Sequence, residues 1–157
     1  MCIRDSGGMV SEKPVLGSVA IAGLVKNAVF DVAGTIGKFT AGAMEDSLIV
    51  AGYRVDSMVN PLGGGLFLMT AGVNQLTITG SAAAATVSGT AFANSSIIAA
   101  AIGRVSIPSA DDSNGGAAFG FGFRDSVGSI VLNQPAFSYD QETGGTQSTG
   151  DFKVLKL

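Results

Sequence analysis

A six-residue unit recurs along this chain, and it restricts the fold more than any other feature. The unit reads apolar, usually glycine, polar, apolar, any residue, apolar. It occurs as Leu16-Gly17-Ser18-Val19-Ala20-Ile21, Ile36-Gly37-Lys38-Phe39-Thr40-Ala41 and Val73-Asn74-Gln75-Leu76-Thr77-Ile78. It returns as Ile102-Gly103-Arg104-Val105-Ser106-Ile107 and Val127-Gly128-Ser129-Ile130-Val131-Leu132. Its apolar positions alternate with small or polar ones in most copies, the strand period of two. A second apolar unit often follows: Val29–Gly34, Ser47–Gly52 and Ser96–Ala101. One such unit cannot bury its apolar side alone, so repeats stack and their inward residues make a continuous core.

Composition supports strands over helices. The chain has 157 residues, 23 of them glycine, and only 13% are charged. Each glycine in a helix interior costs about 0.8–1 kcal/mol relative to alanine, which disfavours a helical bundle. Small residues instead suit tight turns and close backbone stacking. High apolar content with few charges also argues against disorder.

Met1-Cys2-Ile3-Arg4-Asp5-Ser6 reads as the translation of a transposon-end sequencing adapter, so residues 1–6 are set aside as an artefact. Residues 7–13 are expected to be disordered or a partial turn of the stack. Residues 14–157 are expected to form a single domain, part of a larger protein.

The repeats predict a parallel stack of six or seven turns at about 20 residues per turn. Loops rich in Gly, Ser, Asn, Asp and Pro are expected at 53–65, 108–118 and 140–150. The inward set is expected to be Val19, Ile21, Phe39, Leu48, Val50, Leu76, Ile78, Ile97, Val105, Ile107, Ile130 and Leu132. Residues 151–157 read as a last strand, with Lys153 and Lys156 blunting its open edge.

The Ile-Gly-Ser-Val-x-Ile units, each followed by a Ser-x-Ile-x-Ala-Gly strand, resemble repeat regions of large exported bacterial proteins, with autotransporter passengers and surface adhesins the nearest groups. The resemblance spans roughly residues 14–135. It implies an all-β fold, a right-handed parallel β-helix (a β-solenoid) with irregular loop insertions. It further implies an extracellular or cell-surface location. Partners would be the flanking repeats of the same chain and a surface polysaccharide or host ligand. Function is expected to be non-catalytic, structural or adhesive. The alternative is a fragment of a carbohydrate-active β-helix enzyme, a lyase or hydrolase.

The residues themselves narrow the chemistry. There is no histidine, which removes Ser–His and Cys–His catalysis and histidine metal sites within this chain. The net charge is -3 and the cations are scattered, so no basic patch suits nucleic acid. The uncharged stretch from Ser57 to Gly103 is too rich in Ser, Thr, Asn and Gly for a membrane span. Gly63-Gly64-Gly65 lacks the lysine of a phosphate loop and reads as a turn.

Three features remain as candidates. The carboxylates Asp31, Glu45, Asp46, Asp56, Asp111, Asp112 and Asp125 would serve an enzyme only if two met on one groove. Asp111, Asp112 and Asn114 offer oxygens to calcium. That ion wants six to eight ligands and only three side chains are offered, so a solvated loop without cofactor is the preferred reading. Phe119, Phe121 and Phe123 alternate with glycine and would put three rings on one strand face. A sugar-binding platform is the functional reading. A core-facing ladder is preferred, because phenylalanine is among the residues most often buried.

Overall fold

The structure is a computed structural model that describes residues 14–81 and 86–157. Residues 1–13, and with them the adapter segment and the partial turn, lie outside the described residues. The described chain is all β, without α-helix and with one 3-10 turn at Pro61–Gly63. None of its helices is long and apolar enough to cross a membrane.

Thirteen strands run in chain order. They are β1 (Leu16–Lys26), β2 (Val29–Val32), β3 (Ile36–Glu45), β4 (Leu48–Ala51), β5 (Tyr53–Val55), β6 (Gly65–Phe67) and β7 (Gly72–Ile78). Then come β8 (Phe92–Ala93), β9 (Ser96–Ile107), β10 (Phe119–Leu132), β11 (Phe137–Ser138), β12 (Gln147–Thr149) and β13 (Phe152–Lys156). Eleven of them form one mostly parallel sheet, and β5–β6 is a separate antiparallel hairpin.

Parallel pairing places corresponding residues of successive repeats side by side, in three columns. In the first column all five copies of the six-residue unit stack in register: Leu16, Ile36, Val73, Ile102 and Val127 are successive neighbours. Val19, Phe39, Leu76, Val105 and Ile130 follow the same order. The recurrent glycine has a packing reason. A Cβ on Gly37 or Gly103 would collide with the carbonyl oxygen of Gly17 or Asn74 on the adjacent strand, and one on Gly128 would lie 2.7 Å from Gly103 O. Glycine lets the backbones close up at this position.

The second column is short: Val25 pairs with Met44, Met44 with Phe92, and Phe92 bridges to Ala110. The third contains β2, β4, the starts of β9 and β10, and β13. Phe30, Ile49, Ile97, Phe121 and Val154 are successive neighbours there. The chain visits the columns in a fixed order, so five segments stack in the first column rather than six or seven. The difference is taken up by long connections at 53–71, 79–91 and 133–151. The expected loops at 53–65, 108–118 and 140–150 are loops only in part: β5 takes Tyr53–Val55, β12 takes Gln147–Thr149 and pairs with β13, and Ala110 bridges to Phe92. The connection at 79–91 was not foreseen.

One continuous apolar cluster draws residues from all three columns, with Phe39, Met44, Ile49, Leu76, Ile97 and Phe121 fully enclosed. Most of the expected inward set lies in it, and Val19 and Ile21 are half-buried because β1 ends the sheet. Leu48 and Val50 need correction. They are buried, but in a second cluster on the opposite face of β4, with Tyr53, Leu62 and Ile98. The inward residues of β4 are Ile49 and Ala51. The β5–β6 hairpin lies over that outer face, so both sides of the third column are apolar. Alternation therefore gives no register there.

The last strand also differs from expectation. β13 is not an open edge: β10 pairs with it on one side and β12, antiparallel, on the other. In the first column β11 pairs antiparallel with the end of β10. Two short returning segments thus pair with part of the C-terminal end: β12 covers Phe152–Val154, Lys153 included, and Leu155 and Lys156 lie beyond it.

Candidate functional site

The turn from the second column to the third concentrates the polar side chains. Its corner residues are Asn27, Asp46 and Asn94, with φ of 51°, 49° and 41°. Asn and Asp reach this left-handed region more readily than other side-chain-bearing residues, because their short polar side chains bond locally. Each corner residue stands just before a third-column strand, so the corners stack as their strands do.

Two ladders of hydrogen bonds run along this edge. Asn94 Nδ2 donates to Asp46 Oδ1 (2.7 Å), and Asn114 Nδ2 donates to Asn94 Oδ1 (2.9 Å). Beside it, Ala28 N–H donates to Ser47 Oγ (3.2 Å) and Ser47 N–H donates to Ser95 Oγ (3.1 Å). Ser47 and Ser95 are buried, and their hydroxyls donate to Glu45 O (2.8 Å) and Ala93 O (2.9 Å). The buried polar groups at the corner are thereby satisfied between turns, which the low dielectric of an interior demands.

Glu45, Asp46, Ser88, Asn94, Asp111 and Asn114 line an open depression of about 330 Å³ at this corner. Glu45 is mostly enclosed and doubly engaged: Lys26 Nζ donates to its Oε1 (2.7 Å) and Val87 N–H to its Oε2 (2.8 Å). The Lys26 hydrogen bond, with help from the Val87 amide, holds the Glu45 carboxyl below its ordinary pKa. The same contact raises that of Lys26.

The calcium candidates are not brought together as a ligand set. Asp111 Oδ1 accepts the Ser113 N–H (3.1 Å), a local turn. Asp112 is exposed and contributes its main-chain oxygen to Asp151 N–H (2.7 Å). Asn114 is a rung of the amide ladder. Asp151 instead organises the loop, with Oδ2 accepting N–H bonds from Asn114 and Gly116, both at 2.9 Å. Among the described residues no three of His, Cys, Asp and Glu converge around a metal position.

Of the carboxylates weighed for catalysis, three line one depression and Asp31, Asp56 and Asp125 lie elsewhere. Glu45, Asp46 and Asp111 share the corner depression. Asp31 lies on β2 in the third column, and Asp56 follows the β5 strand. Asp125 is held by Arg124 through Nε and Nη2, both at 2.7 Å, and this pairing lowers its pKa. Arg124 also reaches Thr70 Oγ1 (2.9 Å) and lies 5.2 Å from the Phe67 ring centre, which ties the hairpin to β10.

Phe119, Phe121 and Phe123 are interior, each less than 5% exposed. Phe121 stacks on Phe92 at 6.0 Å and meets Phe152 edge-on at 5.9 Å, while Phe123 meets Tyr139 at 5.9 Å. The rings therefore present no platform to a sugar, and the reason is burial: the strand's other face is also covered, with Leu62 and Leu157 against Gly122. Sequence reasoning missed Asn27, Asn94, Ser47 and Ser95. The available signal was an Asn or Asp followed by Ala or Ser at a constant offset before each early third-column strand.

Comparison with known proteins returned no matching family model, no matching curated protein and no matching solved structure.

Proposed function

We propose that the chain is a segment of a right-handed β-solenoid and serves as a non-catalytic structural or adhesive module of an exported protein. The observation that carries this reading is the corner ladder. The most concentrated set of polar side chains, Asp46, Asn94, Asn114, Ser47 and Ser95, is bonded from one turn to the next. Groups engaged in this way rigidify a stack, and a stiff stack projects or presents whatever is attached to it. The resemblance to autotransporter and adhesin repeats supports the exported, cell-surface setting. The reading calls for no cofactor, and takes flanking repeats and a surface polysaccharide or host ligand as partners.

The test is to incubate the purified chain with a panel of neutral and acidic polysaccharides, measuring both retention and released sugar ends. A module of this kind releases none. Release that disappears in Asp46→Asn or Asp111→Asn would overturn the reading in favour of a carbohydrate-active enzyme.

A further inference from the structure

We propose that Asn114 is a site of spontaneous covalent modification, converted to aspartate or isoaspartate through a cyclic imide formed with Gly115. Of the six asparagines in the sequence, at positions 27, 60, 74, 94, 114 and 133, only Asn114 precedes glycine. Three features of the fold leave that dipeptide reactive. Gly115 is exposed, with φ of 89°, and the space where a Cβ would stand is open, so no neighbouring group packs on that side of the glycine. The Asn114 and Gly116 amides donate to Asp151, whereas the Gly115 N–H between them has no acceptor among the described residues. The Asn114 side chain is held only through Nδ2, and its Oδ1 is enclosed without a hydrogen-bond partner.

The chemistry balances without an oxidant or a cofactor. The Gly115 nitrogen attacks Asn114 Cγ, a new C–N bond forms, and the Cγ–Nδ2 bond breaks. The proton from Gly115 N leaves with the departing nitrogen as ammonia. Water then opens the ring. Cleavage at the former side-chain carbon gives aspartate, and cleavage at the main-chain carbon gives isoaspartate. Either product lacks the Nδ2 donor. A carboxylate accepts only, so it would face the Asn94 Oδ1 acceptor with no proton between them. It would also add charge beside the Asp151 carboxylate. The amide ladder would then end at Asn94, and the loop carrying Asn114 would lose one of its ties to the corner. Asn94 contrasts with this: its amide both donates to Asp46 and accepts from Asn114.

The experiment is to age the folded chain, and a urea-unfolded sample beside it, in mildly alkaline buffer. Peptide mapping and enzymatic isoaspartate labelling then locate the products. In the folded chain, conversion is expected at Asn114 and not at Asn94 or Asn27. It should fall to the background of the other asparagines in Gly115→Ala, and in Asn114→Gln, which keeps an amide at that position. Aged wild type and Asn114→Asp should both lose exchange protection of the Asn114 and Gly116 amides. Conversion at Asn114 in the unfolded sample alone would show that the fold shields the dipeptide and would overturn the proposal. So would equal conversion at Asn94 and Asn114 in the folded chain.

Discussion

The first and third columns are built by the same in-register stacking, yet they bury different amounts of each strand. In the first column the inward row is enclosed from β3 to β10, while the opposite row, Lys38, Arg104 and Ser106 among it, faces water. In the third column both rows are enclosed on β4, β9 and β10, because the β5–β6 hairpin and its connecting turn cover the outer one with Tyr53, Leu62 and Phe67, whereas on β2 the outer residues Val29 and Asp31 stay exposed. A strand with one wet face shows its register in its sequence, and a strand with two dry faces does not. Leu48-Ile49-Val50-Ala51 is the case in point: any alternate pair in it looks equally inward.

The largest effect should come from the inner row of the third column. Phe121 touches Phe92 and Phe152 and is fully enclosed. Phe121→Ala should cost about 3–5 kcal/mol, read as a drop in the denaturant midpoint. A loss under about 1 kcal/mol would mean that the ring is not in a packed core.

The outer rows give the sharper contrast. Ile98 points away from the main core but lies in the hairpin-covered cluster. Ile98→Ala should therefore cost about 2–5 kcal/mol, as for any enclosed isoleucine. Arg104→Ala, on the wet row of the first column, should stay within about 0.5 kcal/mol. Equal costs would erase the distinction between the columns. Arg124→Ala should fall between these two, since it releases the hairpin from β10 by removing the Thr70 bond and the contact with Phe67. Hydrogen exchange in β5 and β6 should rise selectively.

A smaller, pH-dependent effect is expected at the corner. The folded-state pKa of Glu45 is depressed, chiefly by Lys26. Its stabilisation is thus fully present above the unfolded carboxylate pKa and is lost as pH falls through the folded value. Acid should loosen the tie between Glu45 and Val87, seen as faster exchange of the Val87 amide, with the rate corrected for intrinsic pH dependence. In Glu45→Gln the charged tie is gone at every pH, and that acid step should vanish. A step that persists in this variant would assign it to another carboxylate.

Much of the first column was legible from the residues. All five six-residue units are there, and the glycine position has its cause in backbone contact with the neighbouring strand. The third column was legible in part. Its units were recognised, but aligning Val29 with Ser47 is one residue off: Val29 pairs with Leu48. The hairpin's docking was not legible, because it is a contact between Leu62 or Phe67 and strands distant in sequence, with no periodic signal. The corner was hidden for a different reason. Corner residues such as Asn27 and Asn94 read individually as ordinary turn chemistry. Only their stacking, fixed by pairing elsewhere, makes them a feature. The Phe119–Phe123 ladder was read correctly as core, since ring burial follows from residue type more than from context.

In-register parallel stacking of sequence-distant repeats is the central claim, and a cysteine pair tests it directly. Lys38 on β3 faces Gln75 on β7. Parallel neighbours lie about 4.8 Å apart, inside the Cα window of about 4.4–6.8 Å for a disulfide. In a Cys2→Ser background, Lys38→Cys with Gln75→Cys should oxidise rapidly within one molecule, measured by mass and by mobility without reductant. Lys38→Cys with Thr77→Cys, displaced along the strand, should oxidise much more slowly. Equal rates for the two pairs, or no intramolecular bond in the first, would contradict the register on which the whole account rests.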